Sequence, residues 1–430
     1  MSSVVNTSYD SSIKGNPAAK LAILHTDILG DFDDADALVA LLNLLKEGKI
    51  DRLIIITAGK GAHLARAIFC GFLVKEMLGC DCAGPAWIPA LPVLIYQGCE
   101  QGSEDSEDKC NYLDPELVRL GMQAIPNVRD GAKRIRNEVK AAGEVLLLVA
   151  APVDKDLLAL ELHKFPRVKL CIMTGAFASA FDGMGIDNRE FAEYNAAGNP
   201  QGLADLGQAF HGRDLGQAFH GRDLGQAFHG RMLMCPLDSC ALDSRVPYWK
   251  DVLPNCPKLY RHAYKKWVAS MKTKDKTKVL QGLRDGEASN IKFDLRALYD
   301  GLRWIGWFRR GIEVSRRTVS VLPGGQTICQ YFDSPAPSTT PRGSFCTYVS
   351  FRGCGYFQTW AREYLTAGSQ SARAEEEAAA TRVQKWLRNV AARAKKSESP
   401  KRERGSSDDS SSAAKKAEGE EGPSQKKARN

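Results

Sequence analysis

Short apolar runs alternate with longer amphipathic stretches over the first 175 residues. "LAILHTD" precedes a predicted helix from Ala35 to Glu47, "RLIIITAG" precedes one from His63 to Leu78, and "EVLLLVAAP" precedes one from Lys155 to His163, before the further run "KLCIMTGA". Uninterrupted apolar runs of this length are typical of parallel strands buried on both faces, and their alternation with helices indicates an α/β fold. We therefore predict a mostly parallel central sheet flanked by helices.

The polar residues of these runs fall at their C-terminal ends. Ligands of such sheets bind beyond the carboxyl ends of the strands, so the candidate site is expected at that edge. The segment "HTDILGDFDDADAL" puts five aspartates into ten positions between the first strand and the first helix. Capping a helix needs only one of these acids. Because packed carboxylates repel one another unless a cation shares the site, the cluster predicts a hard divalent metal ion.

Composition limits the class of protein. With 430 residues, 43% of them hydrophobic, the chain is long enough for one large or two ordinary domains with a core. Its 12 cysteines, without CxxC spacing or a secretory leader, favour reduced thiols. No apolar stretch approaches the roughly 20 residues of a membrane helix. We expect a soluble, cytoplasmic protein with no membrane partner.

Composition also divides the chain into segments. We predict a flexible N-terminal segment at 1–19, a folded domain at 20–367, a helical extension at 368–398 and a disordered charged tail at 399–430. The tail carries part of the net charge of +8, and its clusters "KRER" and "QKKAR" are compatible with a nuclear address or weak RNA binding. A solvated tail is the simpler interpretation, and nucleic acid is not otherwise an expected partner.

A perfect tandem repeat interrupts the folded domain. The unit "DLGQAFHGR" occurs three times over 205–231, and its histidines suggest metal binding. Perfect identity favours instead a recent duplication without a function of its own, and the unit matches no standard solenoid period. If helical, the 18 extra residues would add about five whole turns, whereas the glycines of each copy also allow a looped-out insertion.

The aspartate-rich segment resembles the D-T-D-I-G-x-D-x-D-D-A-x-A-L signature of the inosine-uridine-preferring nucleoside hydrolases. Three further segments are similar to elements of that family: "IMTGAF…IDNREFAEYNAAGNP", "MLMCPLDSCALD" and "LYDGLRWIGWF", the last being similar to its H-D-x-L-A element. The spacing of the third segment fits if two copies of the repeat are removed. The resemblance spans about residues 20–335. It identifies the chain as a divergent member with a nucleoside hydrolase-like, Rossmann-like open sheet.

The resemblance implies an activity and a set of site residues. These enzymes hydrolyse the N-glycosidic bond of ribonucleosides to free base and ribose, using a Ca²⁺ ion that binds the attacking water and the ribose diol. By the match, Asp27 takes the proton of the water. The implied metal ligands are Asp27, Asp34, Asp300 and the backbone carbonyl of Asp154. The implied ribose-binding residues are Asp33, Asn188, Glu193, Asn195 and Asp300.

Four residues depart from the family pattern. His25 stands where the family has its first aspartate, and Leu29 replaces a turn glycine. Lys60 replaces an asparagine that contacts ribose, and Tyr299 replaces a histidine that protonates the leaving base. Tyrosine, with an ordinary pKa of about 10, is a poor proton donor at neutral pH. Stacking of the base on Trp304, Trp307 or Phe191 is an alternative means of activation.

These departures keep other functions open. One is a catalytically impaired relative that still binds calcium and ribonucleosides. A metal-dependent phosphohydrolase built on a strand-end D-x-D would lack its nucleophile, because His25 occupies that position. A structural or RNA-binding role would rest on the tail alone and leaves the acid cluster unexplained. The expected partner is a small-molecule ribonucleoside, with base preference and formation of a homo-oligomer left open.

Overall fold

The computed structural model describes thirteen segments of the chain, all of them within the compact unit Met1–Ala379. They are 19–29, 32–58, 63–79, 92–98, 125–176, 192–211, 231–241, 245–270, 289–290, 292–308, 314–331, 344–350 and 356–366. The predicted N-terminal segment up to residue 18, the helical extension and the charged tail lie outside these segments, as do residues 212–230 of the repeat. Those predictions stay predictions.

The described strands form one nine-stranded sheet. They are β1 (Lys20–Thr26), β2 (Arg52–Thr57), β3 (Val93–Gln97), β4 (Glu144–Ala150), β5 (Val168–Met173), β6 (Met232–Cys235), β7 (Val314–Val321), β8 (Thr327–Tyr331) and β9 (Ser344–Ser350). Their order is β3-β2-β1-β4-β5-β6-β9-β7-β8, parallel from β3 through β9, with β7 antiparallel to both β9 and β8. The predicted mostly parallel α/β sheet is confirmed.

Helices connect and cover these strands. They are α1 (Asp33–Lys46), α2 (His63–Leu78), α3 (Val128–Ala141), α4 (Lys155–Ala159), α5 (Tyr194–Gly198), α6 (Pro200–His211), α7 (Leu237–Ala241), α8 (Trp249–Val252), α9 (Lys258–Ser270), α10 (Phe293–Trp304) and α11 (Phe357–Thr366). The helix predicted from Lys155 to His163 is in fact α4 followed by a 3₁₀ turn at Leu162–Lys164, because Glu161 takes a left-handed conformation with φ of 53°. Among the described helices, none has the length and apolar content needed to cross a membrane.

Alternate residues of the central strand enter two separate apolar layers. Ala22 and Leu24 pack into the cluster built with α1, α2, α9, α10 and α11. Leu21 and Ile23 pack into the cluster built with α3, α4 and α6 on the other face. Burial of both strand faces explains why the parallel strands read as uninterrupted apolar runs.

The strand order reverses at β1. From β1 the chain continues to β2 on one side, and it reaches β4 on the other side only later. In the β1–β4 pair, Thr26 lies opposite Ala150, so the loops after both strands leave the sheet side by side. Such a reversal of strand order is where open α/β sheets bind their ligands.

Candidate metal centre

Three buried carboxylates meet near the carboxyl end of β1. Asp33, Asp34 and Asp294 each offer a carboxylate oxygen, and these oxygens lie within 4.8 Å of one another. Asp33 and Asp34 open α1, which follows β1, and Asp294 lies in the first turn of α10. Helix N-termini favour negative charge, so two converging helix starts can hold several carboxylates together.

Asp27, directly after β1, belongs to the same group of acids. Burial is the largest cause that raises the pKa of Asp294 well above its usual range, and the charges of Asp33, Asp34 and Asp27 raise that pKa further. The side chain of Asp27 is itself buried. We call Asp27, Asp33, Asp34 and Asp294 the acid cluster.

The acid cluster fits a hard divalent cation. Asp294 is 5% exposed, and its Oδ1 atom has no hydrogen-bond partner within the part of the chain that the structure describes. An uncompensated buried carboxylate is unfavourable unless it is protonated or bound to a cation. Several carboxylate oxygens in one place form the donor set that Ca²⁺ or Mg²⁺ prefers.

Hydrogen bonds from the backbone and from a threonine hold the acid cluster in place. The N–H of Asp294 donates to Oδ2 of Asp33 over 3.2 Å, and the Thr26 hydroxyl donates to the Asp34 carboxylate. Phe32 occupies the N-cap position of α1 and offers no capping oxygen. Asp33, one residue further on, caps the start of α10.

The turn between β1 and α1 carries a strained residue. Leu29 has φ of 77°, in the left-handed region that glycine tolerates and other residues rarely adopt. For an L-residue this conformation costs roughly 1–2 kcal/mol. Two residues after Asp27 the chain thus adopts, at Leu29, a backbone conformation that glycine would favour.

His25 in β1 and Asp154, the N-cap residue of α4, form a buried contact. Nε2 of His25 lies 3.3 Å from Oδ2 of Asp154, and Oδ1 of Asp154 accepts the N–H of Leu157 over 2.7 Å. Burial alone would raise the pKa of Asp154, but His25 and the Leu157 N–H outweigh it and lower the pKa. The backbone carbonyl of Asp154, expected as a metal ligand, accepts the N–H of Leu158 over 3.3 Å.

Asp300, expected as a third metal-binding carboxylate, lies against a different partner. Its Oδ1 atom is 3.2 Å from Nε of Arg296, and its Oδ2 atom accepts the hydroxyl of Ser350 over 3.0 Å. Burial raises the pKa of Asp300, and Arg296 opposes that effect. The helix carries Asp300 about 9 Å along its axis from Asp294, whose carboxylate is the one that lies with those of Asp33 and Asp34.

Sequence reasoning overlooked Asp294 because of an ambiguous motif. Aligned on Asp300, the family's H-D-x-L-A element matches Leu302 but meets Arg303 where it needs alanine. Aligned on Asp294, it matches Ala297 but loses the leucine. Only the position of Asp294 at the start of its helix, next to the start of α1, shows that Asp294 rather than Asp300 lies with Asp33 and Asp34.

Two expected ribose contacts, Glu193 and Asn195, are held by the loop after β5. The carboxylate of Glu193 accepts four hydrogen bonds, from Thr174 Oγ1 and from the N–H groups of Gly175, Asn195 and Ala196, at 2.7–3.0 Å. Burial raises the pKa of Glu193, and these hydrogen bonds oppose that rise. Nδ2 of Asn195 donates to the carbonyl of Met173 over 3.0 Å. Asn188 lies outside the described residues.

The aromatic residues considered for leaving-group activation lie elsewhere. Tyr299 is buried against Trp360, with ring centroids 5.0 Å apart. Nε1 of Trp307 donates over 2.7 Å to Glu144, the first residue of β4, and therefore lies at the amino edge of the sheet. Trp304 lies beside Lys169, near the start of β5. Lys60 and Phe191 are outside the described segments.

A cavity of about 260 Å³ lies on the face of the sheet covered by α4 and α6. Apolar side chains such as Leu157, Leu206 and Phe210 dominate its lining, and no residue of the acid cluster contributes to it. It is separate from the candidate metal centre.

The strand order, with acids at its reversal point, defines an α/β protein with a mostly parallel open sheet flanked by helices. The fold is similar to that of the type III effector protein XopQ, solved in complex with adenosine diphosphate ribose, with a TM-score of 0.50, 14% identity, and coverage of 83% of this chain and 94% of that chain. The effector protein XOO4466 matches with a TM-score of 0.47, 12% identity, and coverage of 82% and 95% respectively. No family model and no curated protein matches the sequence. At this identity the likeness concerns the fold alone.

Proposed function

We propose that the chain binds the ribose of a ribonucleoside at the acid cluster through Ca²⁺, and hydrolyses the N-glycosidic bond to give free base and ribose. One observation carries the proposal: four buried aspartates share the reversal point of the sheet, and Asp294 keeps an oxygen without a hydrogen-bond partner among the described residues. The family resemblance of the segment around Asp27 supports it.

The proposed ligands of the ion are the carboxylates of Asp27, Asp34 and Asp294 and the carbonyl oxygen of Asp154. Bound Ca²⁺ would orient the attacking water, ease its deprotonation and bind the ribose diol. We assign Asp294 in place of Asp300, because Arg296 already neutralises Asp300.

The residues of the chain would then act as follows. Asp27 accepts a proton from water while the water oxygen bonds to the anomeric carbon of ribose. The bond from that carbon to the base breaks, and the base takes a proton from solvent. Asp33, Asn188 and Asn195 bind ribose hydroxyls, and such contacts accelerate the reaction when they tighten in the transition state. Because Glu193 already accepts four hydrogen bonds, we assign it to holding Asn195 rather than to touching the sugar.

Binding without turnover is the second candidate function, and the burial of Tyr299 favours it. At the position where many family members protonate the leaving base, this chain has a core tyrosine packed against Trp360. A protein that kept the ribose site and lost leaving-group activation would still bind ribosides, including ADP-ribose, the ligand bound to XopQ.

One set of assays separates these functions. Purified full-length chain and its Asp27→Ala variant are incubated with inosine, uridine or p-nitrophenyl riboside, with and without a calcium chelator, and released ribose is measured. Release that chelation and Asp27→Ala both abolish supports the hydrolase. Absence of turnover, with calcium-dependent thermal protection by ribose or ADP-ribose, supports the binding protein. Failure of Ca²⁺ to change either turnover or the unfolding temperature would overturn both.

A further inference from the structure

A second charged pair lies fully buried next to the acid cluster. Nζ of Lys292 is 2.7 Å from Oδ2 of Asp36, and both side chains have 0% exposure. The hydroxyl of Tyr260 donates to the Asp36 carboxylate, and Lys292 also donates to Oδ1 of Asn290 over 2.7 Å. The ammonium lies 4.3 Å from the centroid of the Trp249 ring. The ammonium and the carboxylate thus have polar or aromatic partners within the protein.

The position of this pair is more informative than its energy. Replacing a buried ion pair by apolar residues of similar size is often neutral or stabilising, so stability alone does not account for it. Asp36 lies in the first turn of α1, three residues after Asp33. Lys292 lies immediately before α10, two residues ahead of Asp294. The pair therefore joins the two helix starts that carry the acids.

The acid cluster needs such a connection. Three of the four carboxylates lie at converging helix starts and repel one another, and the hydrogen bond from the Asp294 N–H to Asp33 is one link between these starts, over 3.2 Å. The Asp36–Lys292 contact is a second link between the same two helices, formed inside an aromatic shell. Two links limit both the separation and the relative rotation of the helix starts.

We propose that Asp36 and Lys292 are positioning residues that set the distance of Asp294 from Asp33 and Asp34, and thereby the calcium affinity of the acid cluster. The inference rests on the proposed function, because it concerns the affinity of that site. Neither residue touches the ion. Loss of comparable supporting contacts around metal ligands lowers affinity by about 10–100-fold.

The test separates metal affinity from folding. The triple variant Asp36→Leu/Tyr260→Phe/Lys292→Met removes both charges and the hydroxyl that would otherwise lose its acceptor. Its unfolding temperature in chelator and its Ca²⁺ affinity by calorimetry are compared with those of the wild-type chain. The expected result is a metal-free unfolding temperature near that of the wild type and a calcium affinity lower by about 10-fold or more.

Two further variants complete the experiment. Asp36→Glu keeps the charge but lengthens the link by one methylene, so it too should weaken calcium binding, and it decides the question if the triple variant does not fold. Arg52→Met/Glu138→Leu removes an ion pair between β2 and α3, away from the acid cluster, and should leave calcium affinity unchanged.

The outcomes distinguish a failure of the positioning role from a failure of the proposed calcium site. Unchanged calcium affinity in the folded triple variant, or in Asp36→Glu when the triple variant does not fold, overturns the positioning role and leaves the metal site standing. Absence of calcium binding by the wild-type chain overturns the site itself, and the positioning role with it.

Discussion

Asp33 on α1 accepts a hydrogen bond over 3.2 Å from the backbone N–H of Asp294 on α10. The side chain at the start of one helix therefore caps the start of another, although 261 positions separate them in the sequence. Both helix dipoles point their positive ends at the same place, which favours the carboxylates that gather there. The arrangement sets the favourable helix dipoles against the mutual repulsion of the acids, and it predicts that stability depends on pH and on a bound cation.

Asp294→Asn should stabilise the metal-free protein at neutral pH. Asp294 has a folded-state pKa raised well above its ordinary 3.8, so between those two values the folded state binds more protons and stability falls as pH rises. Relief from this buried charge is expected to add about 1–3 kcal/mol to the free energy of unfolding. Thermal unfolding in chelator from about pH 4 to pH 8 measures this gain in stability. The unfolding temperature of the variant should depend less on pH than that of the wild type.

The same variant should lose the rise in unfolding temperature that Ca²⁺ gives to the wild-type chain. Asp251→Asn, at an exposed aspartate of α8, is the matched control and should change neither property. An Asp294→Asn protein that is less stable than the wild type in chelator, or that keeps the full calcium response, would contradict the assignment of Asp294.

Asp154→Asn should destabilise the protein at neutral pH by about 1–3 kcal/mol, because it weakens a charge-assisted contact with His25. The folded-state pKa of Asp154 is lowered, so its contribution is present above the ordinary value of 3.8 and lost as pH falls through the folded-state pKa. The difference between variant and wild type should therefore shrink in strong acid. Urea unfolding at about pH 7 and about pH 3 tests this.

Asp156→Asn is the control for Asp154→Asn. The side chain of Asp156 is buried like that of Asp154, at 4% exposure, but it pairs with Arg129, whose side chain is 65% exposed. Water screens that contact, so a smaller loss of stability is expected. An equal loss of stability in both variants would mean that the contact with His25 contributes no more than an ordinary ion pair.

The sequence was sufficient to predict the class of fold and three of the four members of the acid cluster. The apolar runs identify the buried strands, and a run of aspartates after the first strand places Asp27, Asp33 and Asp34 at its carboxyl end without any knowledge of tertiary structure. Parallel sheets make this inference strong, because strand ends and ligand sites coincide. The apolar runs that predict the parallel strands do not predict the antiparallel edge formed by β7 and β8.

The remaining site residues depend on contacts between elements far apart in the chain. Asp294 and Asp300 lie on one helix, and only the direction of α10 across the sheet shows which of them reaches the acid cluster. The partner of Lys292 is Asp36, more than 250 positions away, and no local pattern links them. Tyr299 matched a catalytic position by motif, but its ring packs against Trp360 on α11.

Gly207→Ala should destabilise the protein by about 1–3 kcal/mol through overpacking. A Cβ atom at Gly207, in the first copy of the repeat, would lie 2.3 Å from Cδ1 of the Phe345 ring. The equivalent glycines of the second and third copies, Gly216 and Gly225, provide matched controls with identical local sequence. If only the first copy packs on the sheet, then Gly216→Ala and Gly225→Ala should leave the unfolding temperature unchanged. Three equal effects would show that the copies are equivalent.

Deletion of Asp214–Arg231 should leave the fold intact. The guanidinium of Arg231, the last residue of the third copy, lies 5.2 Å from the ring centroid of Phe210 in the first copy and donates to the carbonyl of His163 over 2.7 Å. The first copy supplies Phe210 and the third copy supplies Arg231, so these contacts need the residues of only one repeat unit. In the shortened chain Arg213 precedes β6 and can take over these contacts, so the unfolding temperature should match that of the full chain. Adding Arg213→Ala should lower it, and insoluble protein after the deletion alone would show that the extra copies are structural.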